Sequence, residues 1–186
     1  MPNLQTIGAS EIRAAISRLA AALSERHPAN RKLLLLGVAN GGIELAGRLE
    51  AELVKAGRPV TAGVIDVSFH RDDFARHPIP KEFAPTHIPA DVHGATVILV
   101  DDVLFSGRTV KAALDELFDY GRPTKVELAV LVDRGGRRLP MAADYAGLTL
   151  AATEREKVVV RLDRAHPRRD LIRVEPASLA VQTSAN

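Results

Sequence analysis

Cysteine is absent from the 186 residues, so disulfides, thiol nucleophiles and Cys-ligated zinc or iron–sulfur centres are excluded. Tryptophan is absent too, and aromatic residues make up only 4% of the chain. That leaves little for stacking a nucleic-acid strand on rings. Neither sign of charge prevails: 25 Lys and Arg against 23 Asp and Glu give a formal net charge of +2. Such a balance excludes a polybasic tail protein and an acidic disordered chain. The longest purely apolar runs are about four to six residues, against the ~20 that span a bilayer. No basic segment followed by an apolar one opens the chain, so no signal peptide is expected. Together these features predict a cytoplasmic protein with no membrane partner.

Hydrophobic residues make up 46% of the sequence, enough for a core of Leu, Val, Ile and Ala. The length favours one domain, residues 1–186. Residues 10–26 show helical spacing at Ile12, Ile16, Leu19 and Leu23, with Ser10 as the expected N-cap. Leu33–Val38 is a continuous apolar run, as in a parallel strand covered on both faces. A helix over Ile43–Ala56 stops at Gly57-Arg58-Pro59, and Val60–Phe69 reads as a strand. Thr96–Asp102 is a further strand, and Gly107–Tyr120 a helix that stops at Gly121-Arg122-Pro123. Lys125–Asp133, Leu148–Ala152 and Lys157–Leu162 complete the strands. The polar, Pro-rich stretch 70–90 is expected to be a functional loop, and 164–186 a weakly ordered tail. Alternating strands and helices imply right-handed crossovers and a mostly parallel α/β sheet. Ligands of such sheets bind beyond the carboxyl ends of the strands.

One segment concentrates the chemistry: Val97-Ile98-Leu99-Val100-Asp101-Asp102-Val103-Leu104-Phe105-Ser106-Gly107-Arg108-Thr109. A buried strand delivers two carboxylates to its exposed end, and a helix then opens on Ser-Gly-Arg-Thr. Backbone N–H groups at a helix N-terminus favour a phosphate. Gly107 permits close approach of the backbone, and the Ser106 and Thr109 hydroxyls add donors. The carboxylates suit neutral hydroxyls or a cation. A ligand with a phosphate at one end and vicinal hydroxyls beside it, a sugar phosphate, meets both demands. The same acidic residues could also merely solvate a strand end. There is no P-loop string, no Gly-x-Gly-x-x-Gly fingerprint and no HExxH, and a receiver domain carries its acidic pair nearer its start.

These thirteen residues resemble the phosphoribosyl-pyrophosphate (PRPP) signature of type I phosphoribosyltransferases. Further segments resemble the pyrimidine operon regulator / uracil phosphoribosyltransferase (PyrR) family: Ile65 to Phe74, Gly121-Arg122-Pro123, Leu128 to Gly135, Leu139-Pro140 and Ala143-Asp144-Tyr145. The resemblance covers about residues 8–162. It implies the three-layer type I phosphoribosyltransferase fold, a mostly parallel central sheet flanked by helices, with 70–90 as a flexible hood. It implies conversion of uracil and PRPP to UMP and pyrophosphate. It also admits a UMP-responsive RNA-binding regulator of pyrimidine genes, whether alongside catalysis or in place of it, and a transferase for another base.

By the same resemblance, Asp101 and Asp102 bind the ribose hydroxyls and Phe105 to Thr109 cradle the 5-phosphate. Ala39, Asn40, Gly41 and Gly42 hold pyrophosphate through backbone N–H groups. Arg71 in the hood reaches the leaving pyrophosphate, and Val132, Asp133 and Arg134 line the base pocket. Magnesium is bound mainly through PRPP, with no direct protein ligand assigned. The implied partners are PRPP, uracil, UMP or UTP, a pyrimidine operon mRNA leader and further copies of the chain, as a dimer or larger homo-oligomer. Many relatives carry Thr-Arg-Gly where this chain has Asn40-Gly41-Gly42. Ala21 and Ala142 stand where the family's RNA face often has His and Arg. Arg13, Arg18, Arg26, Arg137 and Arg138 remain as residues that could meet RNA phosphates.

Overall fold

The computed structural model describes residues 5–27, 33–39, 41–68 and 85–177. In chain order the elements are β1 (Thr6–Gly8), α1 (Ala9–Arg26), β2 (Leu33–Val38), α2 (Gly41–Lys55) and β3 (Val60–Ile65). They continue as β4 (Thr96–Leu104), α3 (Arg108–Asp119), β5 (Lys125–Asp133), β6 (Tyr145–Thr149), β7 (Glu156–Arg161) and β8 (Leu171–Pro176). Five strands form the main sheet in the order β3-β2-β4-β5-β6, every neighbouring pair parallel.

Side-chain alternation builds the three layers. Leu33 and Leu35 of β2, Ile98 and Val100 of β4 and Ala129 and Leu131 of β5 pack with α1 and α2. Leu34, Leu36, Val97, Leu99, Leu128 and Val130 face the other way and pack with Val110, Ala113 and Leu117 of α3. Strands buried on both faces need apolar residues at every position, which accounts for their unbroken runs.

Element boundaries depart from the sequence expectations in several places. The N-cap of α1 is Gly8, with no side-chain cap bond, because the helix starts directly from β1; Ser10 lies inside it. The strand expected over 60–69 stops at Ile65. There the Asp66 carboxylate accepts hydrogen bonds from the Ser68 N–H (2.9 Å) and hydroxyl (2.6 Å), and this local turn ends the ladder. The strand expected over 148–152 lies at 145–149, in register with β5 through Tyr145 opposite Ala129.

The tail is the largest correction. Residues 164–177 are not weakly ordered: they carry a 3-10 turn and β8, which pairs antiparallel with both β1 and β7. Its buried Ile172 and Val174 alternate with polar residues, a two-sided pattern too short to stand out among arginines. Asp170, buried, fastens the turn to α2. Its carboxylate is paired with Arg48, whose guanidinium also donates to the Asp163 carbonyl (2.9 Å) and Glu44 (2.8 Å). Removing one partner of such a buried pair leaves an uncompensated charge, a cost of about 3–5 kcal/mol.

The amino end of the sheet is closed by a polar cluster. Glu127, whose side chain is 0% exposed, meets His27 at 2.7 Å and accepts from the Tyr145 hydroxyl at 2.9 Å, while Lys125 also pairs with it. Burial works to raise the Glu127 pKa, but the donors Lys125, Tyr145 and His27 prevail and hold it below the usual carboxylate value. Burial and the Glu127 charge push the Tyr145 phenol up to about 12. The cluster ties the end of α1 to β5 and β6, leaving the carboxyl end of the sheet for function.

Candidate active site

β4 runs two residues beyond its expected end, so Asp101 and Asp102 lie within the strand. Alternation therefore sends them to opposite faces. Asp101 is buried and its Oδ1 accepts the Asp102 N–H at 2.9 Å. Asp102 lies against the start of α2: a Cβ added to Gly41 would overlap its carboxyl group. Burial pushes the Asp102 pKa up, against opposing hydrogen bonds from the Val103 N–H, Asp101 and its own N–H.

The N-terminus of α2 lies against this carboxylate, and α3 begins four residues after the end of β4. α2 opens at Gly41 directly after β2, and its Gly42 packs so tightly that a Cβ there would overlap the Val100 carbonyl oxygen. The Ala39 N–H donates to the Ile65 carbonyl at 3.0 Å, which fixes the turn before α2. α3 opens at Arg108 with Gly107 as N-cap, in the left-handed region at φ 88°. Among the described residues no non-glycine has positive φ, so the turn before α3 needs glycine at this point. β2 and β4 are neighbours, so both positive helix ends converge on one edge of the sheet.

At the end of β5, Val132 is fully buried. The Asp133 carboxylate accepts from the Gly135 N–H (2.9 Å) and from Arg137 Nη2 (2.6 Å). Arg134 is committed elsewhere. Its guanidinium stacks on the Phe105 ring, 3.7 Å from the centroid, and donates to the carbonyls of Ala152 (3.4 Å), Thr153 (2.9 Å) and Glu156 (3.2 Å). Asp133 and Arg134 thus do not form a pair with each other. Of the remaining sequence candidates, Asn40 and Arg71 lie outside the described residues. The described part of the expected hood, residues 85–90, is fastened to β3, with His87 and Val64 exchanging two 2.9 Å backbone hydrogen bonds.

Arg137 also belongs to this edge, although no local pattern marks it. Its guanidinium donates to the carbonyls of Leu104 (3.1 Å), Phe105 (3.0 Å) and Met141 (3.1 Å) as well as to Asp133. A cavity of about 420 Å³ lies elsewhere, between α2, β3, His87 and Arg164, and holds none of the expected ligand contacts.

Residues 6–163 match the phosphoribosyl transferase domain. The chain is 44% identical over 164 residues to the bifunctional protein PyrR of Roseiflexus sp. (strain RS-1), covering 87% of this chain and 89% of that one. It is 44% identical over 155 residues to the bifunctional protein PyrR of Bacillus subtilis (strain 168), covering 82% and 86%. The chain belongs to the PyrR family of phosphoribosyltransferases. Its fold is the type I phosphoribosyltransferase fold. The hypoxanthine phosphoribosyltransferase of Trypanosoma cruzi shares it with a TM-score of 0.66 at 22% identity, over 91% of this chain and 95% of that one. A hypoxanthine-guanine phosphoribosyltransferase of Bacillus anthracis gives 0.67 at 20% identity, over 92% and 96%. No helix among the described residues is long and apolar enough to cross a membrane.

Proposed function

We propose that the chain transfers the ribosyl phosphate of PRPP to uracil, forming UMP and pyrophosphate, and that the edge just described is its active site. The observation that carries this reading is the Asp102 carboxylate seated against Gly41 at the N-terminus of α2. The order of strands sets the order of ligand parts. Pyrophosphate lies at the turn Ala39–Gly42 after β2. The pentose lies over the end of β4, with its 5-phosphate on Phe105–Thr109. The base lies beyond β5, at Val132 and Asp133. Leaving group and incoming nitrogen thus approach the anomeric carbon from different sides.

The reaction breaks the bond from that carbon to a pyrophosphate oxygen and forms one to the uracil nitrogen. Positive charge grows on the ribosyl ring as the bond breaks. The chain answers it with the fixed Asp102 carboxylate at the hydroxyls, and answers the departing negative charge with helix N-termini. Positioning three ligand parts along one rigid edge supplies the rest. Arg71 is assigned to the leaving pyrophosphate by resemblance, and Arg134 to bracing Phe105 beneath the cradle. The chain acts as a single domain over 1–186, in the cytoplasm, as a homo-oligomer.

Magnesium enters with PRPP, and the donor set fits it. Asp102 would supply the hard oxygens this ion favours beside substrate oxygens, and burial of Asp102 disfavours its charge unless a cation or donor offsets it. The ion, when bound, neutralises pyrophosphate charge.

A regulatory role is favoured by the side chains along the edge strand β6. Arg18 donates to the Gly147 carbonyl at 3.1 Å and Arg26 lies over the Tyr145 ring, 5.5 Å from its centroid, so the first helix presents its arginines beside this strand. Arg138 is exposed, whereas Arg137 is committed internally and is not offered to RNA.

Turnover with PRPP is expected with uracil and at most weakly with hypoxanthine or orotate; equal or greater turnover with either competitor would overturn the base assignment. For regulation, UMP is expected to tighten binding of a pyrimidine leader RNA over unrelated RNA at physiological salt. No preference would remove that role.

A further inference from the structure

We propose that Arg137 is a positioning residue that sets the aim of the phosphate-binding amides and joins them to the base side of the site. The inference rests on the site assignment above and adds a residue to it. One guanidinium spans three segments. It holds the carbonyls of Leu104 (3.1 Å) and Phe105 (3.0 Å) where β4 ends, the Asp133 carboxylate (2.6 Å) at the end of β5, and the Met141 carbonyl (3.1 Å) in the following loop. The backbone beside it completes the clamp. The Arg138 and Leu139 N–H groups both donate to the Ser106 carbonyl, at 2.9 and 3.0 Å. Leu139 and Met141 side chains close over Gly107, where a Cβ would come within 3.0 Å of Met141 Cγ.

The consequence follows from peptide geometry. In a planar trans peptide the N–H points opposite to the C=O. Holding the carbonyls of Leu104, Phe105 and Ser106 on the Arg137 side therefore turns the N–H groups of Phe105, Ser106 and Gly107 to the other side. Those are amides of the cradle. A planar fork with donors in fixed directions can serve two carbonyls and a carboxylate together; a lysine ammonium is a point charge on a flexible stem and cannot reproduce that pattern. The Asp133 contact makes the arrangement reciprocal, because the carboxylate beside the base pocket also orients the guanidinium. The side chain is three-quarters buried or more (22% exposed), so its work is internal to the site.

Arg137→Gln and Arg137→Lys test this, with ribose 5-phosphate and UMP as calorimetric probes and PRPP and uracil as substrates. Arg137→Gln is expected to weaken ribose 5-phosphate and UMP binding and to raise KM for PRPP by about tenfold or more, with kcat within about threefold. Arg137→Lys should recover only part of the loss. A residue that merely stabilises the fold would lower the active fraction, and so kcat, while surviving molecules kept their KM. Unchanged binding and KM in Arg137→Gln would overturn the inference. Failure of the wild-type chain to bind either probe would instead overturn the site assignment.

Discussion

Asp102→Asn is expected to lower kcat/KM for PRPP by about 10²–10³-fold, the usual loss when a group stabilising transition-state charge is removed. The argument is one of charge. Asn keeps the size of the side chain and can still accept from a hydroxyl, but it no longer opposes the positive charge that grows on the ribosyl ring. The same substitution has a predictable effect on stability. Burial raises the Asp102 pKa, so the folded chain holds this proton more tightly than the unfolded chain. The stabilising contribution of the protonated group is full below the unfolded value, 3.8, and is lost as pH rises through the higher folded value. Asp102→Asn removes that loss. Its Tm should equal or exceed that of the parent at pH 7, and any advantage should shrink toward acid. An active Asp102→Asn enzyme would remove Asp102 from the reaction.

The adjacent glycines of α2 separate activity from folding. A Cβ on Gly41 meets the Asp102 carboxyl group, a side chain that can rotate away; a Cβ on Gly42 meets the Val100 carbonyl of the central strand, which cannot. Gly41→Ala should therefore keep its midpoint in urea. It should lose about tenfold or more in kcat/KM, because the displaced carboxylate no longer meets the ribose. Gly42→Ala should lose at least about 1–3 kcal/mol of stability from overpacking, with activity falling alongside. Equal behaviour of the two variants would mean that Asp102 and Gly41 do not act together.

The layers of the fold were legible because parallel strands buried on both faces must be apolar throughout, as Leu33–Val38 and Val97–Val100 are. The turn before α3 was legible for a similar reason: Ser106, Gly107 and Thr109 within four residues mark a helix start, and Gly107 adopts the left-handed backbone there. Contacts between distant segments were not legible. Nothing local marks Arg137 as the partner of Leu104 and Phe105, or Asp170 as the partner of Arg48, since each pairing depends on how strands are ordered in the sheet. β8 was missed because its two buried residues sit in a polar, Arg-rich stretch whose composition resembles a loose tail. Arg134 was placed beside the base because it follows a strand end, yet its guanidinium turns back onto Phe105 and the β6–β7 connection.

A crystal structure with UMP bound tests the central claim most directly. The 5-phosphate is expected on the amides of Ser106 to Thr109, the ribose hydroxyls within hydrogen-bond reach of Asp101 or Asp102, and the uracil edge at Val132 and Asp133. A nucleotide seated in the groove beside His87 and Arg164, or with its phosphate away from the start of α3, would contradict the account.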